Sequence, residues 1–399
     1  MLKPFSYKQG LLSISLLLAS TPSLATPLGS ADMFNAYSLT TFNYGSVDIE
    51  GVIGARGNIV YQGGDTGRKA DSSTPYTVYG GGDVTITNHH VYNGGIQARG
   101  KITVSGSGID GGISTKDSAD LTGGNYNNET IVSEKDTTLR GATFSNGTVH
   151  IGGNFDNESG GNFAGSTLIK GPGATTTADG WYLNQGSVVN GAAPNVEIID
   201  HTQISADIRS ASDLYAAQVA NGTVSNPFSE QWIFNGNSDL NIFDFSGADL
   251  AHLSKLTFEG ARDATYVFNV SGENIDFGSL GDNIGGWFFY NEQMSVDLFD
   301  DLSSKILFNF YEATSLDIYG SVFGSILAPL ADVHYTDGAI NGSLYANSIS
   351  GDGQINNILF TGEGSTNNVP EPAPLALLGL GLIPLLMRKK GNNKTALSA

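Results

Sequence analysis

The chain has 399 residues, 53 of them glycine and none of them cysteine, with 19 basic and 39 acidic side chains and a formal net charge of -20. That balance excludes a nucleic-acid binder, since phosphate contacts need a basic face, and the absence of cysteine excludes thiol catalysis and disulfide scaffolding. Glycine at about twice its usual share, among short alternating runs of Ile, Val, Leu, Phe and Tyr, points to strands and tight turns rather than disorder.

Lys3 and Lys8, an apolar stretch from Leu11 to Ala19 and the small-residue sequence Ser23-Leu24-Ala25 read as a secretory signal peptide over 1–25, cleaved between Ala25 and Thr26. One domain is expected over 26–368. Without the six basic residues and one acidic residue of the two ends, this middle keeps 13 Lys and Arg against 38 Asp and Glu. Stability then has to come from a packed core, for which some 340 residues suffice.

An internal repeat gives the architecture. The pattern apolar-x-Gly-x-Ile/Leu-x-Ala occurs at Ile49, Gly51, Ile53, Ala55; at Tyr92, Gly94, Ile96, Ala98; at Val322, Gly324, Ile326, Ala328; and at Ile340, Gly342, Leu344, Ala346. Residues two apart on a strand point to one side, so the four positions form an inward row suited to stacking on its own copies. The last two copies lie 18 residues apart, a spacing that fits one coil of a solenoid. Between the first two there is room for a further strand, which Asp83-Val84-Thr85-Ile86-Thr87 supplies. The fold class expected is all-β dominated: a right-handed parallel β-helix-like solenoid, with a β-sandwich as its rival.

One segment breaks the pattern. Ile204, Ile208, Ala211, Tyr215 and Val219 recur at helical spacing, which predicts a flanking α-helix over 204–219. Thr202 is placed to cap its start and Asn221-Gly222 to stop it, with Asp207, Arg209 and Asp213 turned to water. Such a helix cannot be a rung and is expected to lie along the solenoid over an apolar strip.

Catalytic chemistry is sparse. No two of the six histidines have the i, i+4 spacing of a helical zinc site, and His89-His90 reads as a turn. No Gly-x-Ser-x-Gly elbow is present. Asp297, Asp300 and Asp301, with Glu292 nearby, form a weak Ca2+ candidate that lacks the spaced ligand loop of a dedicated site. No other cofactor is expected.

The tail has three parts in a fixed order. Val369-Pro370-Glu371-Pro372 is followed by an apolar run from Ala373 to Met387 and then by Arg388-Lys389-Lys390. As a helix the run would span roughly 22 Å, short of a hydrocarbon core of about 30 Å, and the basic cluster would keep the C-terminus cytoplasmic. Segment 369–391 resembles the PEP-CTERM sorting signal, of the kind that also follows some ice-binding proteins. The resemblance implies a membrane-held precursor, an exosortase as processing partner, and delivery to the cell surface or extracellular matrix.

A second resemblance covers nearly all of residues 34–361. Asp48-Ile49-Glu50-Gly51-Val52-Ile53-Gly54-Ala55-Arg56-Gly57-Asn58, Ser238-Asp239-Leu240-Asn241-Ile242-Phe243, Gly324-Ser325-Ile326-Leu327-Ala328-Pro329 and Gly351-Asp352-Gly353-Gln354-Ile355 are similar to blocks of the choice-of-anchor A family. The family implies an adhesin-like extracellular domain without catalytic residues; the stretch 63–80 has no counterpart in its pattern. The function expected is an exported adhesive or structural surface protein with extracellular polysaccharide as a partner. The alternatives are a polysaccharide-acting enzyme and, third, an ice-binding protein, for which Thr85-Ile86-Thr87 is the one strand-like Thr-x-Thr.

Overall fold

The computed structural model describes residues 27–158, 163–177, 186–225, 232–250, 256–261, 263–278, 288–290 and 299–363, with the backbone alone for 256, 288–290 and 299–300. Parallel strands stack into a β-solenoid with three faces, and apolar side chains fill its axis. Val78, Ile96, Ile113, Ile131, Val149 and Leu168 pair in one row at intervals of 17 to 19 residues. All six are buried, and each branched side chain held in such a stack contributes about 1.5 to 3 kcal/mol.

The coils do not follow chain order from end to end. Ala36–Ser38 pairs on one side with Ile53–Ala55 and on the other with Leu344–Gly351, so the N-terminal coil is seated directly on the C-terminal one. From this seam the first half winds outward to Ser187–Asn190, while the second half begins at the far end near Leu240–Ser246 and winds back to the seam. Backbone bonds close the junction: Leu39 N–H donates to Ala346 O, Thr40 N–H to Asn347 O and Glu50 N–H to Ile355 O, each at 2.8–2.9 Å.

The return link explains the first face. His150 Nε2 lies 2.8 Å from Ala192 O, Val196 N–H donates to Glu134 and Ile199 N–H to Gln97, which straps 192–199 across the strands. The helix His201–Ala216 continues along the same face, setting Ile204, Ile208, Ala211 and Tyr215 in one apolar cluster with Tyr37, Tyr345, Leu327, Leu307 and Val267. Strands below are therefore buried on both sides: Gly95–Ala98 and Ile306–Asn309 have no exposed position. On the next, open face Val84–Thr87 and Ile102–Ser105 alternate buried and half-buried.

Several expectations change in detail. Asp200, not Thr202, caps the helix, accepting from the backbone N–H of Thr202 and Gln203. The helix stops at Ala216, so Val219 is 85% exposed, and Asn221 instead receives the Ile242 N–H. Asp207 is half-exposed but does not stand free in water: it accepts from Ser30 N–H and Oγ and pins the N-terminal turn to the helix. In the second repeat Val91, rather than Tyr92, is the inward residue on the third face, because it aligns with Thr66 and through it with Ile49. The strand Val84–Thr87 forms as expected but on the open face; the partner between Ile53 and Ile96 is Val78 of Tyr76–Gly80. Residues 63–80 keep the register by an excursion at one corner, where Lys69 N–H donates to Glu50 O.

Corners turn where the backbone can adopt positive φ or make a close approach. Ser46, Gly63, Asn88, Gly106, Gly123 and Gly141 turn the open face into the third, one per coil, with φ of 48° to 74°, a region that glycine and asparagine enter at least cost. At Gly342 a Cβ would collide with the Gly324 carbonyl of the preceding coil, which accounts for the glycine of the repeat.

Candidate binding face

Positions facing outward on the open face fall into two rows along the solenoid axis. The first runs Asp276, Asp317, His334, Ser350, Asn43, Val60, Thr85, Thr103, Asp120, Thr138, Asp156. The second includes Gly45, Gln62, Thr87, Ser105, Thr122, Arg140 and Glu158. Inward neighbours are apolar or aromatic except Thr137 and Asn157, so alternation separates the two surfaces.

A groove of about 690 Å³ opens where the two halves meet. Gly45 carries no side chain in the second row, and Gly63 and Gly351 border the same gap, which makes room for it. Its walls are Asn43, Gln62, Asn88, Ser46, Thr336 and Asp352, beside His334 and Ser350. The floor is rigid. Tyr44 packs edge-on against Tyr61 at 5.7 Å, Tyr61 lies 4.1 Å from the His89 ring, and Tyr61 O–H donates to Val47 O at 2.7 Å. Tyr44 O–H donates to Gly353 O, and burial pushes the phenols of Tyr44, Tyr61 and Tyr335 well above their ordinary range.

Apart from Asp352, the charge on this face lies beyond the groove. Arg140 bridges Asp120 at 2.5 Å and Glu158 at 3.0 Å, and Lys101 reaches Asp120 at 3.4 Å. The bond to Asp120 is the main cause of the raised guanidinium pKa of Arg140; burial, then Glu158, raises the Asp156 carboxyl. On the third face His90 stacks on Tyr92 at 4.0 Å and meets Asp110 at 2.8 Å, and Arg68 lies over the Tyr92 ring at 4.9 Å.

The residues singled out from the sequence lie mostly elsewhere. Ala25, Thr26, Val369, Pro370, Glu371, Pro372, Arg388, Lys389, Lys390 and Asp297 lie outside the described residues. Asp300 and Asp301 belong to the short helix Phe299–Ser303. Among the described residues no three His, Asp or Glu are grouped to hold a metal, and no helix is long and apolar enough to cross a membrane. His89 lies in the turn between Val84–Thr87 and His90–Val91, but it is buried: its Nδ1 lies 2.7 Å from Gly63 O, and desolvation pushes its pKa down to about 4. His90 belongs to the strand His90–Val91. Asn43, Gln62 and Asn88 stand out only once the coils are in register, when a run of the first row without carboxylates or cations becomes visible.

A family model described as "Putative Ice-binding-like adhesive domain" matches residues 27–122 and 98–357. No curated protein matches the sequence. Among solved structures, an ice binding protein from an Antarctic bacterium, Flavobacteriaceae, is 11% identical over 83% of this chain and 98% of its own, with a TM-score of 0.25. The Tapirin C-terminal domain of Caldicellulosiruptor kristjanssonii is 12% identical over 84% and 94%, with a TM-score of 0.33. The C-terminal domain described as "a possible adhesin" from Caldicellulosiruptor kronotskyensis is 12% identical over 90% and 97%, with a TM-score of 0.28. The two stretches matched by the family model together run from 27 to 357, the whole solenoid with its helix, and the chain belongs to this family of ice-binding-like adhesive domains.

Proposed function

We propose that the chain is an exported cell-surface adhesin that makes contact through the open face and acts without catalysis. The carrying observation is the asymmetry of the solenoid: one face is sealed by the strap and helix, while the next presents two continuous rows of outward side chains on a rigid sheet. Among the groove's walls the one carboxylate is Asp352, whereas glycoside hydrolysis uses two flanking the bond. Delivery is assigned to the tail, with exosortase processing at Val369-Pro370-Glu371-Pro372. The last described residue suits such a tether: Glu363 N–H donates to Thr265 and its carbonyl accepts from Tyr215, on the helix-covered side. The test is attachment of cells displaying residues 26–368 to polysaccharide-coated and bare surfaces; attachment should fall when charged residues replace Thr85 and Thr103, and unchanged attachment would count against this face.

A second reading has one observation in its favour. Thr85, Thr87, Thr103, Ser105 and Thr122 place hydroxyls in adjacent rungs, an arrangement that could order water on a flat surface. Asp120 and Arg140 interrupt it after two complete rungs. Shaping of ice crystals by the purified domain, lost in T85K, would favour this reading.

A further inference from the structure

We infer that the groove over the seam is a binding cleft for an uncharged polysaccharide chain laid along the solenoid axis, a proposal that rests on the adhesive reading and gives it a ligand class. Six successive positions of the first row, His334, Ser350, Asn43, Val60, Thr85 and Thr103, carry no carboxylate, lysine or arginine, and Asp317 and Asp120 bound them at either end. At a strand spacing of about 4.8 Å this track is about 24 Å long, room for several sugar rings.

The chemistry of the walls selects the ligand. Asn43, Gln62 and Asn88 are exposed, and their amides have no hydrogen-bond partner among the described residues. Each offers two donors and an acceptor, which matches a hydroxyl that both donates and accepts. Ser46 and Thr336 add hydroxyls of their own. An anionic chain would meet Asp352 with no cation among the walls to offset it, and an apolar ligand would find only Val60 exposed beside the buried Tyr44 of the floor. A peptide strand has no edge to join, because the strands flanking the groove are paired on both sides. Tyr319, 40% exposed and paired with Thr336, presents a ring at one end of the groove for the apolar face of a pyranose.

The test uses the complete exported domain on an array of neutral glucans, mannans, galactans and xylans beside alginate and polygalacturonate. Asn43→Ala, Gln62→Ala and Asn88→Gly are combined, glycine being chosen at 88 because φ there is 48°. These side chains are exposed, so the variant should melt with the parent. The expected result is binding to at least one neutral polymer, weakened at least tenfold by the triple variant, with a similar loss for Gln62→Glu alone. Binding that the variant leaves unchanged, or binding confined to the acidic polymers, overturns the cleft while leaving the adhesive reading in place. Attachment to cells or bare surfaces without any glycan binding does the same, and failure to attach to anything removes both.

Discussion

Ile326 shows what a single inward position is worth. It is fully buried between Phe308 of one coil and Leu344 of the next. Ile326→Asp should cost about 3 to 5 kcal/mol, because it leaves an unpaired charge where no water reaches. The denaturant midpoint measures this, and a shift below 1 kcal/mol would argue against a packed interior at that rung. His89 and His201 make the second prediction. Burial lowers the pKa of each to about 4, helped at His201 by Arg99, while the unfolded chain takes up the same protons near 6.5. The folded state thus binds fewer protons between these values. Stability is full above about pH 6.5 and falls as pH drops toward 4, by about 3 kcal/mol for each group at most. Replacing both residues with glutamine should flatten that slope in urea titrations at pH 7 and pH 4.5. Inward residues such as Ile326 are legible in the sequence because alternation marks them locally. The burial of His89 is not, since it depends on Tyr61 from another coil.

At the scale of the element, the helix is legible by period but its attachment is not. Ile204, Ile208, Ala211 and Tyr215 announce an apolar stripe, yet anchors near its end are polar and come from two adjacent coils. Asn309 donates to Ser212 O at 3.0 Å and to Asn269 Oδ1 at 2.9 Å, and receives the Ser212 hydroxyl at 2.6 Å. Asn269 in turn donates to Tyr215 O at 2.9 Å. These amides tie the C-terminal part of the helix to the sheet, adding a buried donor to Ser212 O and a second one to Tyr215 O, which also accepts from Gln218 N–H. Asn309→Ala should therefore cost about 2 to 3 kcal/mol, more than its small apolar area suggests, since it strands the Ser212 hydroxyl on one side and Asn269 Oδ1 on the other. Thermal melting measures the loss, and hydrogen exchange should localise it to 209–216. No spacing rule reveals this ladder, because asparagine on a strand reads equally as a turn or an exposed rung.

At the scale of the molecule, the repeats at 322–328 and 340–346 disclose a solenoid, but nothing local discloses that its N-terminal coil sits in the middle. The pairing of Ala36 with Leu344 joins residues more than 300 positions apart, and each partner taken alone is an ordinary inward residue. The candidate groove inherits this: it exists because the two halves meet, so its walls come from 43–46, 60–63, 88 and 334–352 together. Solenoid stability is close to a sum over neighbouring coils, so a coil is protected chiefly by those it touches. Deleting residues 339–363 removes the acceptors of the Leu39, Thr40 and Glu50 amides and leaves the strand Ala36–Ser38 as an open edge. Those three amides should then lose hydrogen-exchange protection by at least a hundredfold, while Ile86 and Val104, two and three coils from the seam, keep most of theirs. Equal loss at all five positions would mean that the solenoid opens as one unit, and no loss at Leu39, Thr40 and Glu50 would mean that the halves do not meet at this seam.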